Sequence, residues 1–294
     1  MEALSRLPVD NVVFPKLGID LTINSEAISI FGFSVKWYGV MIALGMLLAM
    51  MYCFRRTKEY GIDGDRLIDA VIAGVIGAVV GARLYYVVLH SASYHSIKDI
   101  LSIRDGGLAI YGGIIGGVLT AIVYCKRKGV NFWLLADTIA PCLAFGQMLG
   151  RWGNFFNREA FGGFTNGLLA MRLQVSQVRT SDISAEVMQH IVNYGGVDYI
   201  QVHPTFLYES LWNLCLFLLL IKFRPKKKFD GQVLGLYFLG YALGRVWIEG
   251  LRTDQLMFGP FAVSQLLSGG LIICAAIFLI RKGKQEKAKK ESES

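Results

Sequence analysis

Charge is scarce in this chain of 294 residues: Asp, Glu, Lys and Arg make up 18%, where soluble domains carry roughly 25%. With 54% hydrophobic residues and a mean hydropathy of +0.46, that scarcity excludes a disordered chain and argues against an ordinary soluble enzyme. Cysteine is sparse as well. The five cysteines (Cys53, Cys125, Cys142, Cys215, Cys274) lie in or beside apolar runs and form no CxxC pair. Neither a disulfide framework nor a zinc site is indicated, and they read as small apolar packing residues. The four histidines, His90, His95, His190 and His203, lack metal-ligand spacing, so no metal or cofactor is implied. The first twenty residues lack the basic start, short apolar run and cleavage site of a signal peptide. The first apolar run is therefore expected to stay as an anchor. No internal repeat is visible, and nothing resembles the paired broken helices of inverted-repeat transporters.

What the chain has is long apolar runs and 33 glycines. A membrane span needs about 20 residues, and seven runs qualify, near 33–54, 67–89, 108–125, 132–150, 205–223, 232–251 and 260–280. The expected fold is an all-α polytopic membrane protein of about seven transmembrane helices, a single integral membrane domain over 1–294. Two polar segments remain, 151–205 and a basic tail at 281–294. Within the first, Met171, Leu173 and Val175 alternate as in a short strand, and Ser184 before AEVMQHIVNY predicts a short helix.

Basic residues orient the runs, because retained cytoplasmic loops are enriched in Lys and Arg. Arg55, Arg56 and Lys58 follow the first run, and Lys126, Arg127 and Lys128 the third. Lys222, Arg224, Lys226, Lys227 and Lys228 surround the end of the fifth, and six more occupy the tail, making 17 of the 30 basic residues. The N-terminus is thus expected outside, the C-terminus in the cytoplasm, and 151–205 as a small extracytoplasmic head. The net charge of +8 is mainly an orientation signal, and no nucleic-acid partner is implied.

With that orientation, the intramembrane polar residues converge on the outer leaflet. Lys36, Trp37 and Tyr38 lie near the outer end of the first run, Arg83, Tyr85 and Tyr86 in the outer part of the second, and Asp105 and Tyr111 at the start of the third. Charges inside spans usually mark function. Tyr241, Arg245, Glu249 and Arg252 share one helix face by their spacing. They form either a packing ion-pair ladder or part of a site. Arginine suits phosphate, and Arg83, Arg151 and Arg158 sit at the same level, which suggests a pocket for an anionic lipid headgroup. The small-xxx-small pairs Gly77/Gly81, Gly112/Gly116, Gly113/Gly117, Gly146/Gly150 and Gly240/Gly244 read as helix-packing sites. Gly106-Gly107 is the exception that could expose backbone N–H groups.

The run Gly150-Arg151-Trp152-Gly153-Asn154-Phe155-Phe156-Asn157-Arg158-Glu159-Ala160-Phe161-Gly162 resembles the signature of prolipoprotein diacylglyceryl transferases. Trp37-Tyr38-Gly39, Gly81-Ala82-Arg83-Leu84-Tyr85-Tyr86, His203-Pro204-Thr205-Phe206-Leu207-Tyr208-Glu209, and Gly244-Arg245 through Glu249 and Arg252 resemble its other elements. The likeness covers roughly residues 25–280. It implies a bacterial cytoplasmic-membrane transferase with its active site toward the extracytoplasmic leaflet. Such an enzyme moves the diacylglyceryl group of phosphatidylglycerol onto the lipobox cysteine of a prolipoprotein signal peptide, releasing glycerol phosphate.

By that resemblance Arg151 and Arg245 take the phosphate, and Arg83 and Arg252 belong to the lipid-binding set. Asn154 binds the headgroup or orients Arg151, and Glu249 holds Arg245 or Arg252 in register. Tyr38 and Tyr241 line the headgroup cavity, and Gly162 allows the loop turn. Many members carry His-Gly-Gly where this chain has Tyr111-Gly112-Gly113. A tyrosine hydroxyl, with a pKa near 10, is a poor base, so Tyr111 donates a hydrogen bond, the base lies elsewhere with His203 as a substitute, or the arginines' field ionises the thiol. The rival readings are a transporter for an anionic solute and a lipid-binding protein without chemistry. A transporter needs polar lining in both leaflets, and the inner halves of these runs are almost uniformly apolar.

Overall fold

The computed structural model describes residues 11–30, 33–91, 94, 96–102 and 106–293. His95 and Asp105, and the first ten residues of the segment compared with signal peptides, lie outside the described residues. The chain packs as two compact units, Met50–Ile139 on one hand and Met1–Ala49 with Ala140–Ser294 on the other.

The smaller unit holds α3 (Gly64–Leu89), the short α2 (Thr57–Tyr60) and α4 (Ile97–Leu101), and α5 (Ile110–Lys128). Asp63 caps α3 by accepting from the Asp65 N–H, and Gly129 ends α5 in the left-handed conformation, as glycine commonly does. The helices α3 and α5 meet backbone to backbone. A Cβ on Gly81 would lie 2.4 Å from the Gly112 carbonyl oxygen, and one on Gly116 would lie 2.3 Å from that of Gly77. Of the pairs read from the sequence, Gly77/Gly81 and Gly112/Gly116 thus form a contact that admits no side chain, whereas a Cβ on Gly113 or Gly117 would meet only ordinary contacts. Gly146 and Gly150 have open space beside them.

The larger unit holds the start of α1 (Trp37–Arg55), most of α6 (Phe132–Asn157), and α8 (Thr205–Phe223), α9 (Gln232–Glu249) and α10 (Val263–Glu293). Among the described residues, five helices are long and apolar enough to cross a membrane: Trp37–Arg55, Gly64–Leu89, Phe132–Asn157, Thr205–Lys226 and Val263–Ser292. Seven is not reached on length and composition. α5 carries Lys126, Arg127 and Lys128 in its last turn, and α9 holds Arg245 and Glu249 within 18 residues. The basic segment expected as a separate tail continues α10 as helix.

The protein is mostly helical rather than all-helical. A five-stranded antiparallel sheet, in the order β2-β1-β5-β7-β6, joins β1 (Asn11–Phe14) and β2 (Ile19–Thr22) to β5 (Met171–Gln174), β6 (Val192–Tyr194) and β7 (Val197–Val202). Met171 and Leu173 are in strand as expected, whereas Val175 begins a 3-10 turn. Ser184 caps a helix of one turn, α7 (Ala185–Met188). The chain then returns to strand, because Val192–Tyr194 pairs with β7.

Alternation builds the two faces of this sheet. Val12, Phe14, Met171, Leu173, Ile200 and Val202 are buried together against Phe155, Phe161 and Phe206, each contributing roughly 1.5–3 kcal/mol. On the other face Asn11 is fully buried, and its Oδ1 accepts from Gln174 Nε2 at 2.7 Å and Tyr199 Oη at 2.6 Å. The strands β3 (Glu26–Ile30) and β4 (Phe33–Lys36) form a hairpin, so α1 begins at Trp37 and not at residue 33. A last hairpin, β8 (Met257–Phe258) with β9 (Phe261–Ala262), leads into α10.

Candidate active site

In the larger unit, the C-terminal turns of α6, the first turns of α8, and the last turns of α9 with the segment just after it bring three arginines and three carboxylates together. Glu209 is the hub. Its side chain is 5% exposed, and its two oxygens each take a different arginine: Arg151 Nη2 donates to Oε2 at 2.5 Å and Arg245 Nη1 to Oε1 at 3.0 Å. Arg245 Nη2 also meets Glu249 Oε2 at 2.7 Å, the i,i+4 pair that the α9 stripe suggested. Arg252 lies 4.0 Å from Glu249 and is held mainly by Asp254, with Nε to Oδ1 at 2.9 Å and Nη2 to Oδ2 at 2.7 Å. Burial works against the charge of Asp254, but these bonds from Arg252 outweigh it and hold the carboxyl below its ordinary range.

Asn154, three residues on from Arg151 on the same helix, has Oδ1 at 3.4 Å from Arg151 Nη1. Its Nδ2 donates to Glu159 Oε1 at 2.9 Å, as does that of Asn157 at 3.3 Å. Glu159 therefore fixes which way the Asn154 amide points. Between these groups the backbone turns sharply, with Arg158 and Ala160 at φ 53 and 57, a conformation that costs non-glycine residues about 1–3 kcal/mol each. Gly162 is not in the left-handed region. Its reason is crowding: a Cβ there would lie 2.7 Å from both the His203 Cβ and the Leu251 carbonyl oxygen. The bare backbone lets Gly162 pair with Arg252 and donate to the His203 carbonyl at 3.0 Å, tying the ends of α6, β7 and α9 together.

Tyr38 packs its ring on Gly153, and Tyr241 stacks on Tyr237 with centroids 6.0 Å apart. His203 Nδ1 lies 3.2 Å from the Tyr208 hydroxyl, and burial lowers the pKa of its imidazole. Arg83 and Tyr111 belong to the smaller unit. All five N–H bonds of Arg83 meet carbonyl oxygens there, those of Asp99, Ile100, Ser102, Gly106 and Gly107, at 2.7 to 3.0 Å. Gly106 and Gly107, both at positive φ, turn their carbonyls to this guanidinium. Tyr111 stands in the first turn of α5 and is half exposed.

Sequence reasoning missed Glu209, Glu159 and Asp254 as site residues. The signal for Glu209 was a lone carboxylate one turn inside an apolar run, a position that is costly without a partner. Arg151 and Arg245 keep side-chain exposures of 20% and 16%. Two guanidiniums held in direction by Glu209 and still partly open have the N–H geometry that suits a pair of phosphate oxygens.

Residues 25–281 match the family described as prolipoprotein diacylglyceryl transferase. A protein of Bacillus cereus (strain Q1) named phosphatidylglycerol--prolipoprotein diacylglyceryl transferase is 39% identical over 280 residues, covering 93% of this chain and 97% of its own. Proteins of the same name from Bacillus anthracis (strain A0248) and Bacillus mycoides (strain KBAB4) are 39% and 40% identical over the same coverage. The elements that build the arginine cluster are those that carried the sequence resemblance, and the chain belongs to the prolipoprotein diacylglyceryl transferase family.

Proposed function

We propose that this chain transfers the diacylglyceryl group of phosphatidylglycerol to the thiol of a lipobox cysteine in a secreted prolipoprotein, forming a thioether and releasing glycerol phosphate. The anionic-solute transporter is not favoured, since the family and its named relatives are transferases. In this reading all seven long helices cross the bacterial cytoplasmic membrane, α5 and α9 being carried by their neighbours. The N-terminus and the five-stranded sheet lie outside, the end of α10 lies in the cytoplasm, and the arginine cluster sits at the depth of the outer headgroups.

The observation that carries the reading is the Arg151–Glu209–Arg245 bridge. A thiolate, the competent nucleophile, attacks the sp3 carbon of the lipid glycerol, and negative charge grows on the departing phosphate. Arg151 and Arg245 stabilise that charge, and Asn154 orients Arg151. Glu249 sets Arg245, Arg252 completes the cationic wall, and Tyr38 and Tyr241 line the headgroup space. Tyr111 supplies a hydroxyl to the lipid or peptide. For Arg83 the carbonyl contacts support a role in holding the 97–107 segment of its own unit over direct contact with phosphate.

The test is the purified chain in detergent with phosphatidylglycerol and a lipobox peptide. Glycerol phosphate should appear with a diacylglyceryl mass gain on the cysteine. Absence of turnover by well-folded protein would overturn the reading.

A further inference from the structure

The three cations Arg151, Arg245 and Arg252 face the three carboxylates Glu209, Glu249 and Asp254. By formal charge these six side chains sum to zero. A phosphodiester entering it adds one negative charge, and the leaving glycerol phosphate adds a second. Something must remove negative charge from the cluster as the reaction proceeds. Glu209 is the group best placed to do so. Its two oxygens occupy, on Arg151 and Arg245 at once, the positions that two phosphate oxygens would take. Glu249 and Asp254 instead each hold an arginine within four residues in sequence.

We propose that Glu209 is both the internal stand-in for the lipid phosphate and the proton acceptor for the substrate thiol. This rests on the transferase reading above. The entering phosphodiester takes the two guanidiniums from Glu209. The two carboxylate oxygens so released from Arg151 and Arg245 are then free to meet the incoming thiol. The cysteine thiol then gives its proton to a Glu209 oxygen, the sulfur electron pair forms the S–C bond, and the glycerol C–O bond breaks with its pair leaving on phosphate. The cluster becomes net positive as the phosphate gains its second negative charge. The proton afterwards passes to the glycerol phosphate, whose second ionisation falls near neutrality, and Glu209 returns to its arginines. This chain thereby needs no histidine at position 111.

The experiment compares lipobox peptides bearing cysteine or selenocysteine, the selenol being ionised at neutral pH without help. With Glu209→Gln, cysteine turnover should fall about 100-fold or more, within the range of general-base catalysis. Selenocysteine turnover should fall less than about 10-fold, and phosphatidylglycerol should bind the variant at least as tightly as the wild type, since a competing carboxylate is gone. Equal losses with both peptides, weakened lipid binding, or normal cysteine turnover would each overturn the proposal. If Glu209→Gln fails to fold, Glu209→Asp keeps the charge but retracts it. Its selenocysteine-to-cysteine rate ratio should rise above the wild-type ratio, and an unchanged ratio overturns the proposal. A wild-type chain that transfers to neither peptide overturns the transferase reading, and the role of Glu209 with it.

Discussion

The ring of Tyr38 is seated by the missing side chain of Gly153: a Cβ at that position would lie 2.5 Å from the Tyr38 Cδ2 and 3.1 Å from its Cγ. One turn of α1 and one turn of α6 are thus fitted to each other beside Arg151. Gly153→Ala should push the ring off α6. The tyrosine is more than a third exposed and can swing outward, so the stability cost should stay within about 1–3 kcal/mol. Transfer should fall further than stability does, by roughly tenfold. Rates and thermal unfolding measured on the same preparation will separate the two.

Arg151→Ala should lower transfer by about 100-fold or more, the scale for removing a donor that meets developing charge. It also leaves the buried Glu209 with one cation, which should cost up to about 3 kcal/mol. Arg151→Lys should restore more stability than activity, because an ammonium matches the charge but not the paired N–H geometry. A lysine variant with near-normal turnover would remove Arg151 from the phosphate assignment.

Arg83 ties five carbonyl oxygens with one side chain. A lysine has three N–H donors, so Arg83→Lys strands at least two of those oxygens, at about 1–3 kcal/mol for each one left without a partner. Faster protease cleavage within 97–107 is the expected result, with unfolding of the larger unit unchanged.

Acid should loosen the turn between β7 and α8. Burial lowers the pKa of His203 in the folded chain, while the unfolded chain keeps an ordinary value near 6.5. The contribution of this histidine to stability is therefore complete above that value and is lost as pH falls through the lowered folded one. His203→Gln should weaken the acid-side decline in unfolding temperature between pH 7 and 5.

The long helices were legible because an apolar run of 20 residues has few alternatives. The run at 67–89 became Gly64–Leu89, and that at 205–223 became Thr205–Phe223. The start of α1 was misread because Phe33–Lys36 is apolar enough to extend a span, while its pairing with Glu26–Ile30 depends on a turn. Of the stripe read along α9, Arg245 and Glu249 do pair, whereas Arg252 lies past the end of the helix at Glu249. Glu209 was visible as a residue but not as a hub, because its partners come from two other helices. The fate of Arg83 was hidden for a different reason: carbonyl oxygens belong to every residue and leave no mark in sequence.

The register of β1 on β5 has a consequence in time. Val12 is paired with Leu173, which the ribosome adds about 160 residues later, an interval on the order of ten to thirty seconds. Asn11 likewise waits for Gln174 and Tyr199 to fill its polar niche. The first strands made are among the last to find their place. The β1–β2 hairpin must wait for its β5 partner while α1, α3, α5 and α6 are synthesised, so a fusion that traps residues 11–22 early would leave the helices formed and the sheet unfinished.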